Sequence, residues 1–254
     1  PHADKRAANK TPCRSRPRAT SGFALILTVG LVIAARRAFQ SGHRVRRAAH
    51  TTLGFMIAEA LLGAGLVIFG LVENNDSVAR AVVMCMHLIN TLALLGFMAL
   101  TAWWSERDGR LNFDQAITTW LGVALLGVFA IGVTGAIAAL GDTLFPAASL
   151  VEGIRADLEP GAHFLLKLRG FHPVIALIVA FGLLSLAKPY KDHEKLGALA
   201  KLLIAFVVVQ VIVGFVNLGL LAPIYLQLIH LLLADGLWIT LVLFSATALN
   251  EATT

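Results

Sequence analysis

Apolar residues in this chain come in long, nearly continuous runs separated by short polar and charged stretches. About twenty such residues carry a helix across the hydrocarbon core of a bilayer. Seven runs are of that length: Thr20–Arg37, Ala49–Val72, Ala79–Trp104, Ala116–Leu140, Ala162–Ala187, Leu196–Leu221 and Tyr225–Ala248. The first is the shortest in its uninterrupted part, Gly22–Ala35. The strict alternation that marks a membrane β-barrel is not present. The pattern predicts an all-α membrane protein of seven transmembrane helices.

Composition agrees: hydrophobic residues make up 57% of the chain and charged residues 14%, which excludes a soluble globular class. A net charge of +6 could point to nucleic acid, but the positive residues cluster in short loops rather than on one face, so no nucleic-acid partner is expected. Arg36, Arg37, Arg44, Arg46 and Arg47 crowd the first inter-helix loop, and Lys188, Lys191, Lys195 and Lys201 another. By the positive-inside rule these loops face the cytoplasm, as does the C-terminus at Thr254. The segment from Glu73 to Arg80 and the acidic stretch Gly141–Pro160, with Asp142, Glu152, Asp157 and Glu159, then face outward. Seven spans place the N-terminus outside as well, yet residues 1 to 18 carry Lys5, Arg6, Lys10, Arg14, Arg16 and Arg18 against Asp4 alone. That conflict predicts either a missing preceding helix or a non-native lead-in. Cys13 and Cys85 make no disulfide or metal motif, and Cys85 reads as a small packing residue.

The chain also compares with itself. Glu59-Ala-Leu-Leu-Gly63 in the second run aligns with Gln210-Val-Ile-Val-Gly214 in the sixth. Each is followed by a loop and a run with a histidine inside it: Val-Met-Cys-Met-His87-Leu-Ile and Leu-Gln-Leu-Ile-His230-Leu-Leu. The copies are an even number of spans apart, so they point the same way. They predict two pseudo-symmetric bundles about an axis along the membrane normal. By that symmetry His172, in the second copy, should have a counterpart near position 17, where the chain has Pro17.

His87, His172 and His230 each lie roughly two turns inside an apolar run, near one face of the membrane. An imidazole at that depth has no water to satisfy it and is a functional-site hypothesis. Helices that project histidines inward at matched depth can hold a haem iron between them. The plain alternative is a core histidine hydrogen-bonded to a neighbouring carbonyl; for His87 it is packing beside Asn90. Arg80, Lys167 and Arg169 lie at the outer ends of histidine-bearing runs, where they could pair with haem propionates or snorkel to the interface. Glu59 and Asp235 are intramembrane carboxylates. Gln210, at the place matching Glu59, argues against an essential charge there, and Asp235 suits a helix–helix hydrogen bond.

At these residues the chain resembles the haem A synthase family, the membrane enzymes of cytochrome oxidase assembly. The resemblance runs from about Arg18 to Leu249 and is carried by Gly132-Val-Thr-Gly135-Ala-Ile-Ala-Ala-Leu-Gly141-Asp142-Thr-Leu-Phe-Pro146, Leu168-Arg169-Gly-Phe-His172-Pro173 and Gln227-Leu-Ile-His230-Leu-Leu-Leu-Ala-Asp235-Gly-Leu-Trp238. It implies an oxidoreductase of two four-helix halves, with the first helix missing here. The C-terminal half would bind haem b as an electron-transfer cofactor. The N-terminal half would oxidise a methyl group of substrate haem O to the formyl group of haem A. His172 and His230 match the cofactor-haem iron ligands, and His87 matches a ligand of the catalytic N-terminal site. Pro17 stands where that site's second ligand is expected, and Arg14 where an acid is.

The resulting division is a basic arm over 1–18, an incomplete substrate-haem bundle over 19–112 and a haem b bundle over 113–254. The resemblance also implies the inner (plasma) membrane, with haem sites on the extracytoplasmic side, and haem O synthase or oxidase-assembly proteins as partners besides lipid. A rival from another class is a non-catalytic haem-binding subunit with a decayed substrate site. A small-solute transporter would suit the parallel repeat, but the runs contain no broken helix to support it.

Overall fold

The structure, a computed structural model, describes residues 16–72, 74–107 and 115–251. Nine α-helices form among the described residues, and no strand. They are α1 (Arg16–Ala38), α2 (Arg44–Ile68), α3 (Val78–Glu106), α4 (Gln115–Leu144), α5 (Leu150–Leu158), α6 (Phe164–Arg169), α7 (Phe171–Ala187), α8 (Gly197–Gly219) and α9 (Ile224–Glu251). Seven stretches are long and apolar enough to cross a membrane, with α6 and α7 together making one over Phe164–Tyr190. The chain is an all-α, multi-pass membrane protein. The basic arm at 1–15 lies outside the described residues.

Two features depart from the sequence pattern. The run expected as one helix over Ala162–Ala187 is interrupted at Gly170. Pro173 has no N–H to offer the Arg169 carbonyl four residues back, so the hydrogen-bond ladder skips there. Gly170 stays right-handed helical (φ −63°, ψ −21°), so the segment continues as one span. The acidic stretch expected as a loop contains α5, started by Ser149, whose hydroxyl accepts from the Glu152 N–H at 3.2 Å.

Packing follows the repeat. Helix α1 lies on α2 and α2 on α3, as α7 lies on α8 and α8 on α9, and the equivalent helices α3 and α9 meet each other. Between them the Trp238 indole N–H donates to the Leu92 carbonyl at 2.6 Å, and Trp103 donates to the Thr247 hydroxyl at 3.1 Å. The main core is built at the end of the bundle that carries the lysine-rich turn, from Leu183, Leu203, Leu241 and Phe244 of α7, α8 and α9. A smaller one, Ala81, Leu140 and Leu165, closes the end that carries α5. Elsewhere large apolar side chains such as Phe181, Leu126 and Leu232 face outward, as lipid-facing surfaces of spanning helices do.

Candidate functional site

All three intramembrane histidines are met by a glycine of a neighbouring helix. A methyl group on Gly135 of α4 would stand 3.1 Å from His172 Cε1, and one on Gly214 of α8 would stand 3.2 Å from His230 Cε1. Gly63 of α2 faces His87 more loosely, at 3.9 Å. Small residues thus let a neighbouring backbone close on each imidazole edge. The approaches put His172 in the second residue of α7, His87 in α3 and His230 in α9.

Each ring also has a polar neighbour. The Thr134 hydroxyl lies 3.2 Å from His172 Nδ1. The Gln210 amide nitrogen lies 3.3 Å from His230 Nε2 and donates to the His230 carbonyl at 3.1 Å. Glu59 Oε1 stands 3.4 Å from His87 Nδ1. Yet His87 Nδ1, His230 Nδ1 and Gln210 Oε1 are buried with no hydrogen-bond partner. Buried polar atoms are normally satisfied, so open ring nitrogens in a glycine-lined approach are the mark of a place built to accept something.

The sequence alignment of Glu59…Gly63 with Gln210…Gly214 therefore has a spatial meaning: in both copies the polar residue and the glycine one turn on bracket the histidine of the following helix. Glu59 is engaged by polar side chains of α3. Its carboxylate accepts from Asn90 Nδ2 and from the Thr91 hydroxyl. Asn90 is thus a partner of Glu59 rather than a mere neighbour of His87, and it also donates to the Phe55 carbonyl at 2.9 Å. Thr134 was missed by sequence reasoning, although it lies inside the Gly132–Pro146 motif beside Gly135. Asp235, half-buried one turn beyond His230, makes no helix–helix hydrogen bond among the described residues.

The cations divide. Arg169 pairs with Asp157 at 2.7 Å and with Asp142 at 3.1 Å, and reaches the Phe145 and Gly153 carbonyls at 3.4 Å. It thereby ties α5 and the end of α4 to α6. Burial pushes the Asp157 carboxyl above its ordinary value, and the Arg169 guanidinium offsets part of that. A cavity of about 270 Å³, lined by Phe145, Pro146, Glu152, Leu166 and Arg169, lies beneath α5. Arg80 donates to the Asn75 carbonyl at 2.7 Å, and Lys167 to the Pro160 carbonyl at 2.8 Å. His163 caps α6 and lies 3.6 Å from Asp76. His43 caps α2, His50 accepts from Arg36 at 3.0 Å, and His193 caps the turn before α8, so these three serve structure. Among the described residues no three His, Cys, Asp or Glu side chains gather as a metal-ion site.

The site is thus a histidine-bearing helical bundle within the membrane. Residues 17–242 match the model of the cytochrome oxidase assembly protein family (COX15-CtaA), and the chain belongs to that family. It is similar to two curated proteins called protoheme IX farnesyltransferase, from two strains of Thermus thermophilus. Each is 40% identical over 239 residues, a match that covers 92% of this chain and 39% of the relative. The chain therefore spans well under half the length of the curated relatives it matches. No solved structure matches it.

Proposed function

We propose that the chain is a haem A synthase-like oxidoreductase, holding haem b between His172 and His230 and receiving haem O at His87. The observation that carries this reading is the repeated approach of glycine to histidine within the membrane, with His230 Nδ1 buried and open. A core histidine that merely packs has its nitrogens satisfied, and a flat macrocycle needs a neighbour without a side chain. The residues present therefore fit the group. When bound, haem b would supply reversible one-electron transfer.

The chain's own residues supply orientation and exclusion of water. Thr134 and Gln210 fix the imidazole planes. Arg169, already engaged by two carboxylates, serves better to hold α5 over the end of the bundle than to bind a propionate. Arg80, in the first turn of the helix that bears His87, is the candidate for a propionate of the substrate by its position. The acidic loops and α5 face outward and the arginine- and lysine-rich loops inward, in the inner membrane.

The relatives' name supports the same reading. Transfer of a farnesyl group to protohaem IX gives a farnesylated haem, the kind of substrate that this site would oxidise. Because the match covers only 39% of those proteins, the transferase has most of their length outside it. A joined pair of consecutive activities would explain how a segment of the oxidase-assembly family comes to match a farnesyltransferase, and makes a haem O-forming enzyme a natural partner. One observation favours the second reading, a haem-binding subunit without catalysis. Pro17 stands where the other substrate-haem ligand is expected.

A pyridine haemochrome spectrum with haem extraction, on protein expressed with haem O available, tests both. Haem b together with haem O or haem A, with haem b lost in His172→Ala and His230→Ala, is the expected result. Haem b alone at one per chain would select the non-catalytic reading, and no haem would overturn both.

A further inference from the structure

The two copies of the repeat treat their histidines alike in shape but not in charge. In the second copy Gln210 sits against His230. In the first the same place holds Glu59, 3.4 Å from His87 Nδ1, and the helix that bears His87 supplies two donors to its carboxylate, Asn90 and Thr91. These stand three and four residues after His87. The positions three and four after His230 are Leu233 and Ala234, which have no side-chain donor to give. Three positions therefore change together: a carboxylate with its two donors in one half, and an amide with apolar neighbours in the other. A buried carboxylate needs such donors, and an amide does not. The difference is built in rather than incidental.

We infer that Glu59 and Gln210 are positioning residues that give the two haem sites different electronic character, the His87 site being electron-rich and the His172–His230 site not. This rests on the haem reading above. A histidine bound to iron through one nitrogen carries a hydrogen on the other. A carboxylate accepts that hydrogen more strongly than an amide oxygen does and makes the imidazole a better donor to the metal. Glu59 is placed to do so for His87. Gln210 turns its amide nitrogen, a donor, to His230 Nε2 at 3.3 Å, and its Oε1 is buried without a partner, so it takes no hydrogen from the ring. A better-donating ligand favours the ferric state, so a haem at His87 has the lower reduction potential.

The test is a spectroelectrochemical titration of the haem-loaded full chain in detergent. The triple variant Gln210→Glu, Leu233→Asn, Ala234→Thr moves the whole device to the second site. It should lower the midpoint of the haem that is lost in His172→Ala. Glu59→Gln should raise the midpoint of the haem lost in His87→Ala and leave the other unmoved. If the triple variant does not hold haem, the single variant Gln210→Glu, which puts a carboxylate beside the His230 ring, should lower the second site's midpoint. Haem retained at an unshifted or oppositely shifted potential overturns the inference, as does absence of any His87-dependent haem for the Glu59 half. Absence of haem from the parent chain would instead overturn the haem reading on which it rests.

Discussion

The glycines that approach the histidines differ by less than 1 Å in how closely they do so, and that difference decides the sign of a substitution. At Gly63 an added methyl would meet His87 at 3.9 Å, an ordinary contact. Gly63→Ala should therefore keep only the helix-propensity gain of alanine and stabilise the protein by about 0.5–1 kcal/mol. At Gly135 and Gly214 the methyl would stand 3.1 and 3.2 Å from a ring carbon, and the ring must move. The hydrogen bonding of His172 to Thr134 and the bracing of His230 by Gln210 resist that movement. Overpacking should outweigh propensity, so Gly135→Ala and Gly214→Ala should destabilise by about 1 kcal/mol net. Thermal unfolding in detergent checks all three, and an unchanged or raised midpoint for Gly135→Ala would mean that His172 is not held in the place described.

At the scale of the element, the repeat is clearest where α2 and α8 end. The Leu71 N–H closes on the Leu66 carbonyl at 2.8 Å, and the Ala222 N–H closes on the Asn217 carbonyl at the same 2.8 Å. The two closures have the same offset in sequence as Glu59 and Gln210. Such a turn puts one residue in the left-handed region. In α2 it is Gly70 (φ +65°), which adopts it freely, but in α8 it is Leu221 (φ +60°), with Ala222 (φ +53°) following it there. A leucine there costs roughly 1–2 kcal/mol, and this one is 42% exposed, so little packing would be lost with its side chain. Leu221→Gly should raise stability by about 1 kcal/mol, read as a higher unfolding midpoint, once glycine's greater freedom in the unfolded chain is set against the relief. The spanning helices were legible because length and apolarity alone define them in a bilayer. Helix α5 was not, because nine residues with charges on one face carry no such signal. The interruption at Gly170 could have been found from Pro173. At the site, the three histidines and the Glu59–Gln210 match stood out in the sequence. What the match does was not legible, since it depends on which faces of α2 and α3 meet.

For the molecule as a whole, the question is what keeps the two halves together. Lipid tails are as apolar as leucine, so no hydrophobic force drives one half of a membrane bundle onto the other, and their association rests on close packing and hydrogen bonds between helices. Trp238 provides both. Its indole lies over Gly96 of α3, whose added methyl would stand 3.5 Å from Nε1, and its N–H is spent on the Leu92 carbonyl. On its other side it meets Phe129 of α4 edge to face, with ring centroids 4.9 Å apart. One side chain of α9 thus touches both helices that flank the chain's midpoint. It is 4% exposed, so truncation leaves a cavity that neither lipid nor water fills well. Trp238→Ala should cost about 3–5 kcal/mol. Because the loss falls where α9 meets α3 and α4, it should also separate one thermal transition into two. Trp103→Phe provides the contrast, since it gives up one hydrogen bond to Thr247 but keeps most of the packing, worth about 1 kcal/mol with the transition still single. If Trp238→Ala lowered the midpoint without splitting it, the halves would be coupled mainly through α4, which packs against α3, α6, α7 and α9 together.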